Sequence, residues 1–264
     1  MILKCYFDGG NQADSTQYDV VTLASVSGIT EDLRPFEADW KAALKNHKAS
    51  WLHTTDLVSL VREPFTNKHG WTAADSAAFI MDCVQVISAH VARPLTDHSP
   101  RIGLFPVTVT IALKDYIRAR DENPEVPKTA TEICATQNLA RCFELGRDVM
   151  GANFYHLFFD QNEPFRGHIC DRQRSPKALK QLPLLDRITR NDEADMRTQP
   201  ALQMADLFAW CVSHKSTVQQ KWHEAVLLIP RMEEWIGYAD LVKPISGVAQ
   251  LVGSWKLPKR KPTR

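Results

Sequence analysis

In "ILKCYFDGGN" (residues 2–11) an apolar run ends in a carboxylate that two glycines follow, and this pattern is the starting point for predicting the fold. A short apolar run bounded by a turn signal is typical of a buried β-strand. Asp8 therefore lies at a strand end, where side chains of an α/β sheet leave the core and enter a cleft. A second predicted strand, "NFYHLFFD" (153–160), ends in the same way at Asp160. If the two strands are neighbours, the two carboxylates converge.

Both carboxylates also have a purely structural interpretation. Asp8, which precedes Gly9 and Gly10, can begin a turn, since Asp hydrogen-bonds to its own backbone there. Asp160, which precedes "QNEP", can be a turn residue or the N-cap of a helix that begins near Pro164. The residues alone leave these alternatives open.

The composition indicates an ordinary globular protein of one α/β domain. The chain has 264 residues, of which 44% are hydrophobic and 24% are charged. Lys and Arg total 32 against 31 for Asp and Glu, so any preference for charged partners depends on local clusters. The six cysteines are scattered without a Cys-x-x-Cys pair and are expected to be reduced thiols. No run of 18 apolar residues and no leader is present, so we expect a cytoplasmic protein without a membrane partner.

Hydrophobic periodicity predicts the remaining elements. Strands are expected at 18–28, which forms a hairpin with the first strand, at 50–54, at 102–113 and at 182–191; helices at 30–47, 72–94, 129–151 and 199–215; and a charged surface excursion at 113–128. Residues 216–264 read as a C-terminal helical extension with a basic tail, which leaves 1–215 as the main domain.

Asp206 is the third carboxylate in an unusual place. Within "PALQMADLFAWCV" (200–212) only Gln203 and Asp206 are polar, and their spacing puts both on one helical face. An ionised carboxylate on a buried helix needs a partner, because an isolated buried charge costs many kcal/mol or is neutralised. A divalent cation shared with other carboxylates is one such partner, and a buried Arg is another.

These segments resemble a known family. "YFDGGN", "HLFFDQ" and "LQMADLFAW" resemble the three signature blocks of the domain of unknown function 3800 family, over about residues 1–215. The block Gln203-x-Ala205-Asp206-Leu207 is the most specific part. The resemblance implies an α/β fold with a ribonuclease H-like mixed sheet flanked by helices, and a metal-dependent nuclease activity.

The resemblance extends to two further positions and breaks at two. Asp195 falls where family members often carry an Asp-Ser pair, and "WLHTTDL" (51–57) resembles the family's Glu-x-His block. Gly9 and Trp51, however, stand where the family has Glu. At least one carboxylate of the usual set is therefore missing or relocated.

The resemblance implies a two-metal site for Mg²⁺ or Mn²⁺, hard cations that prefer oxygen ligands. Such a pair of ions activates a water and stabilises the leaving oxygen of a phosphodiester. The implied ligands are Asp8, Asp160 and Asp206, with Asp195 or Asp56 as a fourth. His53 is the candidate proton shuttle, and the alternative for a lone His is a structural role.

A basic stretch follows Asp160 and suggests contact with DNA or RNA. Between residues 166 and 190 the chain has seven cations and two acids, a local charge of +5. Candidate nucleic-acid contacts are Asn11, Arg166, Arg172, Arg174 and Lys177. A solvated loop explains the same charges, and the five cations of 256–264 suit either a nucleic-acid-touching arm or a disordered solubilising end.

Two functions from different classes follow from these observations. The first is a divalent-metal-dependent nuclease or related phosphoryl-transfer enzyme. The second, favoured by Gly9 and Trp51, is a catalytically inactive ribonuclease H-like module that binds nucleic acid or a protein partner. A third alternative, a haloacid-dehalogenase-like phosphatase, is disfavoured. Its Asp-x-Asp pair would require an acid at position 10, where this chain has Gly10.

Overall fold

The computed structural model describes residues 1–10, 19–92, 103–161 and 163–242. In chain order its strands and helices are β1 Ile2–Gly10, β2 Val20–Gly28, α1 Thr30–Asn46, α2 Thr54–Ser59, α3 Ala73–His90, β3 Phe105–Ala112, α4 Leu113–Glu122, α5 Ala130–Asp148, β4 Phe154–Asp160, α6 Pro164–Arg174, α7 Pro176–Gln181, β5 Ile188–Ala194, α8 Pro200–Ser213, α9 Lys221–Leu227, β6 Met232–Ile236 and α10 Tyr238–Val242.

The strands form one mixed sheet in the order β5-β4-β1-β2-β3-β6. β2 lies antiparallel both to β1 and to β3. β4 lies parallel to β1, β5 lies parallel to β4, and β6 lies parallel to β3. The prediction of an α/β protein with a mixed, helix-flanked sheet is confirmed.

The sheet separates two hydrophobic cores, and the alternation along β1 assigns its side chains to one or the other. Leu3, Cys5 and Phe7 belong to the core that α5 covers. Tyr6 belongs to the opposite core, which α8 covers together with α1 and α3. Asp8, two residues after Tyr6, lies on the same face and therefore lies beneath α8.

The register between β1 and β4 brings the two predicted strand ends together. Phe7 is the partner of Phe159, so Asp8 and Asp160 occupy the next position on each strand. Tyr6 stacks on Phe158 with ring centroids 4.9 Å apart, which fixes the register beside the carboxylates. The two carboxylates thus emerge at the same edge of the sheet.

Two local predictions were wrong. Residues 50–53 form no strand; Leu52 donates its backbone N–H to Gln203, and α2 begins at Thr54. The predicted surface excursion is instead α4, because Leu113, Tyr116 and Ala119 recur at helical spacing and are all buried. Charge on the opposite face of α4 conceals this apolar stripe in the sequence.

The segment after residue 215 is not purely helical. It contains α9 and α10, as predicted, but also β6, which extends the sheet beside β3. The buried guanidinium of Arg141 in α5 donates to Glu234 of β6, with Nε 2.7 Å from Oε2, and also bonds Glu144. The prediction of an exclusively helical extension is therefore corrected; residues 243–264, with the basic tail, lie outside the described residues.

Two compositional expectations can be compared with the structure. All six cysteines are free thiols, as predicted. Across the described ranges, none of the helices combines the length and apolar character needed to cross a membrane.

The packing of α5 on β4 predicts opposite effects for two Gly→Ala substitutions in helices. A Cβ at Gly146 would lie 2.7 Å from Cε1 of Tyr155, whose hydroxyl is fixed by donation to the carbonyl of Phe143. Gly146→Ala should destabilise the protein by about 1–3 kcal/mol through overpacking, despite a gain of about 1 kcal/mol in helix propensity. Denaturant unfolding measures this difference.

Gly167→Ala in α6 is the matched control. A Cβ there has no atom within 4 Å, so only helix propensity acts and stability should rise by up to about 1 kcal/mol. Equal effects of the two substitutions would contradict the described packing at Gly146.

Candidate functional site

Four carboxylates gather where β1 and β4 end beneath α8. Asp8, Glu163 and Asp206 are 5%, 6% and 7% exposed, and Asp160 is half-buried. The charges of the other three all raise the pKa of Asp8, which requires that they lie near it. The structure therefore brings the three predicted aspartates together and adds Glu163.

Asp8 has the most perturbed environment of the cluster. Burial is the largest cause that raises its pKa well above the usual range, and the charges of Asp206, Glu163 and Asp160 add to it. The backbone N–H of Gly9 donates to Oδ1 of Asp8 at 2.9 Å. The turn-like bond that the sequence suggested is thus present, but within a buried acidic cluster.

Asp206 is held through one carboxylate oxygen. Its Oδ2 accepts hydrogen bonds from the backbone N–H and from the hydroxyl of Thr54, both at 2.6 Å. Burial raises the pKa of Asp206, while His53 and the bonds from Thr54 lower it. Among the described residues no Arg or Lys forms an ion pair with Asp206.

Asp160 is anchored in a similar way. Its Oδ1 accepts the backbone N–H of Met196 at 3.1 Å, and the N–H of Gln161 also donates to its carboxylate. Burial raises its pKa, and these backbone bonds oppose the rise. Asp160 is not the N-cap of α6, which corrects that alternative.

Glu163 is the site residue that the sequence interpretation missed. It caps α6 by accepting the N–H of Phe165 at 3.3 Å, and it also accepts the N–H of Gly9. Burial raises the pKa of Glu163 to about 8. The available signal was its position directly before Pro164, since a Pro at the first helical position marks the preceding residue as an N-cap.

Gln203, the other polar residue of α8, connects the segments that hold the carboxylates. Its Oε1 accepts from the indole of Trp40 at 2.8 Å and from the N–H of Leu52 at 2.9 Å. Its Nε2 donates to the carbonyl of Met196 at 2.8 Å. Segments 51–54 and 195–197, which carry the donors to Asp206 and Asp160, are therefore both bound to α8.

His53 lies beside the cluster. Its Nδ1 is 2.8 Å from Oδ2 of Asp56, so Asp56 orients the imidazole. The charge of His53 lowers the pKa of both Asp206 and Asp160. His53 therefore lies near both carboxylates, whereas Asp56 is paired with His53.

Asp195 is at the edge of the site. Its Oδ1 accepts the N–H of Arg197 at 2.9 Å and caps the 3₁₀ turn Met196–Thr198. The charge of Asp195 raises the pKa of Asp160, so the two carboxylates are neighbours. Its local capping role accounts for an Asp here without any ligand.

The predicted nucleic-acid contacts differ in whether an acidic side chain already pairs with them. Arg166 pairs with Glu193 at 2.8 Å, and Arg172 pairs with Glu132 at 3.3 Å. Arg174 and Lys177 are exposed and form no ion pair with any described residue. Asn11 lies outside the described residues.

The four carboxylates have the donor chemistry of a Mg²⁺ or Mn²⁺ site, because both ions prefer oxygen ligands. Oδ1 of Asp206 and Oδ2 of Asp8 accept no hydrogen bond from the described residues. Such oxygens suit hard divalent cations. In the described part of the chain, however, no group of three or more His, Cys, Asp or Glu side chains has an arrangement that could hold a metal ion.

The comparisons with known proteins add no relative. No protein-family model, no curated protein and no solved structure matches this chain. The resemblance to the domain of unknown function 3800 family therefore rests on its sequence motifs and stays a prediction.

The raised pKa of Glu163 predicts a pH-dependent effect of Glu163→Gln on stability. Because its folded-state pKa is about 8, the folded protein binds this proton more tightly than the unfolded chain does, whose Glu titrates near about 4.3. The resulting stabilisation is complete below the unfolded pKa and is lost as pH rises through about 8. Gln mimics the protonated form, so the variant should match the wild type near about pH 4 and exceed its Tm by a few degrees near about pH 9.

Thermal unfolding across that pH range is the measurement for Glu163→Gln. The exposed Glu125 provides the control, since Glu125→Gln should change Tm little at either pH. A Glu163→Gln variant that is less stable than the wild type at the alkaline end would contradict the raised pKa.

Thr54 should matter most when Asp206 is ionised. Thr54→Val keeps the shape of the buried side chain and the backbone donor but removes the hydroxyl bond to Oδ2. A hydrogen bond to a charged group contributes about 1.5–3 kcal/mol, so the loss should be larger above the pKa of Asp206 than below it. Denaturant unfolding at acidic and alkaline pH measures the difference, and Thr54→Ser, which keeps the hydroxyl, should show a smaller pH-dependent loss.

Proposed function

We propose that this protein is a divalent-metal-dependent nuclease, or a related phosphoryl-transfer enzyme, that acts on nucleic acid at the cluster of Asp8, Asp160, Glu163 and Asp206. One observation carries the proposal: several buried carboxylates raise one another's pKa, and no Lys or Arg among the described residues pairs with Asp8, Asp160 or Asp206. Such an arrangement costs folding free energy, and strongly perturbed groups that share a cleft are typical of functional sites.

The topology supports a ribonuclease H-like fold as part of the proposal. Three antiparallel strands, β1 to β3, are followed by β4 and β5, which add in parallel on the other side of β1. Such a mixed sheet flanked by helices agrees with what the resemblance implies. β6 is an addition at the far edge.

The residues that would hold Mg²⁺ or Mn²⁺ are Asp8, Asp160 and Asp206, with Glu163 as a fourth carboxylate in place of the Glu absent at position 9. When bound, such ions supply water activation and charge stabilisation at a phosphodiester. The protein itself fixes one side of each aspartate: backbone N–H groups of Gly9, Thr54 and Met196 donate to Asp8, Asp206 and Asp160. These bonds keep the carboxylates oriented without neutralising them.

In the proposal, His53 transfers protons, and the basic helices α6 and α7 bind phosphates. The imidazole of His53, oriented by Asp56, accepts or donates a proton beside the cluster. Arg174 and Lys177 are available to phosphates. The partly exposed pairs of Arg166 and Arg172 with Glu contribute little stability, so both guanidinium groups can exchange to phosphate. Binding should therefore weaken with salt.

A catalytically inactive module that binds nucleic acid or a protein partner is the second candidate. Two observations favour it: the carboxylates of the described residues do not form a ready ligand group, and Trp51 occupies the position where Glu was expected. It predicts binding without turnover and without a divalent-metal site.

The proposal predicts Mn²⁺-dependent cleavage of DNA or RNA that Asp160→Asn and Asp206→Asn abolish. It also predicts that Mn²⁺ at about 100 times its Kd stabilises the wild type by about 2.7 kcal/mol. For a chain of this size that corresponds to a rise in Tm of roughly 5–10 °C. The two Asn variants should lose the rise in Tm, yet without metal they should be no less stable than the wild type, because repulsion within the cluster is reduced.

Asp121→Asn, an exposed Asp on α4 outside both the cluster and the basic stretch, is the control and should behave as the wild type. Cleavage that persists in Asp160→Asn and Asp206→Asn would reject the assigned site. Calorimetry that detects no Mn²⁺ binding, together with nucleic-acid binding but no cleavage, would favour the inactive module.

A further inference from the structure

A tryptophan and an arginine form a cation–π pair on the two segments that anchor the carboxylates. The guanidinium carbon of Arg197 lies 4.9 Å from the ring centroid of Trp51. Arg197 is exposed and Trp51 is half-buried, so the guanidinium can move while the indole stays in place.

The position of this pair is fixed relative to the candidate active site. Trp51 is three residues before Thr54, which donates two hydrogen bonds to Asp206. Arg197 directly follows Met196, whose N–H donates to Asp160. The two segments cannot drift apart, because Gln203 accepts the N–H of Leu52 and donates to the carbonyl of Met196.

From this arrangement we infer that Trp51 and Arg197 form a base-stacking subsite for single-stranded nucleic acid next to the carboxylate cluster. An unpaired base enters between the indole and the guanidinium plane and exchanges their mutual contact for a stack with both. The inference rests on the proposed function for the meaning of the neighbouring carboxylates, but the stacking site itself does not depend on turnover.

The chemistry of the pair favours an unpaired base over other occupants. Single-stranded DNA and RNA are bound by aromatic side chains and Arg planes that stack on bases, whereas bases within a duplex are covered by their neighbours. The charge of Arg197 also suits the phosphate that follows the base. Lys cannot replace Arg here, since an ammonium group has no plane to stack.

The test is the affinity of a fluorescein-labelled single-stranded DNA oligonucleotide, measured by fluorescence anisotropy in the presence of EDTA, which prevents cleavage. Trp51→Ala should weaken binding by about 5-fold to 100-fold, the effect of losing one stacked base. Trp51→Phe should retain most of the affinity. Arg197→Lys should weaken binding although the net charge is unchanged.

Trp235 on β6 provides a matched control. It is 45% exposed and has the ammonium of Lys215 6.0 Å from its ring, but it lies at the opposite edge of the sheet from β5. Trp235→Ala should leave single-strand affinity unchanged. Thermal unfolding of each variant identifies any loss of folded protein, and Arg197→Lys remains decisive if Trp51→Ala is unstable.

Three outcomes would overturn the subsite: equal losses for Trp51→Ala and Trp235→Ala, full affinity of Arg197→Lys, or an equal loss of duplex affinity in Trp51→Ala. These outcomes are separate from failure of the nuclease proposal. Cleavage with Mn²⁺ but without dependence on Trp51 would remove only the subsite, and binding that depends on Trp51 without cleavage would remove only the enzymatic function.

Discussion

The burial of Asp206 on an otherwise apolar helix is the constraint on which the site depends. α8 must lie on β1 and β2, because nearly all its side chains are apolar and buried. That packing carries Asp206 into the protein above the end of β1, where its charge requires compensation. Thr54 donates two hydrogen bonds to Oδ2 of Asp206, which partly compensate the buried charge. The same two bonds fix the orientation of the carboxylate and therefore of Oδ1.

Gln203 extends this constraint from one residue to the whole site. A single side chain on α8 bonds the segment before α2 and the segment before α8 itself. Those segments hold the donors to Asp206 and Asp160, so the geometry of two carboxylates depends on one buried amide. The result is support for two carboxylates against their mutual repulsion, supplied by one amide that bonds both segments.

The acidic cluster is therefore a balance between packing and electrostatics. Hydrophobic burial on both faces of the sheet places the strand ends and α8 together, and repulsion among the carboxylates opposes this arrangement. Burial raises the pKa values of Asp8, Glu163 and Asp206, while backbone N–H groups lower them. A site that stays strained in this way favours binding of positive charge, which is the physical basis of the proposed function.

The strands that end in Asp8 and Asp160, the Pro-initiated helix of Asp206 and the thiol state of the cysteines could all be predicted from local sequence patterns. That Glu163 joins the cluster is a tertiary feature, since it accepts the N–H of Gly9, which lies far away in the sequence on β1. The same holds for β6, whose pairing with β3 and bond to Arg141 are long-range contacts. A strand was predicted at residues 50–53 because these residues favour one. The backbone N–H of Leu52 instead donates to Gln203, far away in the sequence. Periodicity reports which face of an element is buried; it does not report which distant residue lies against that face.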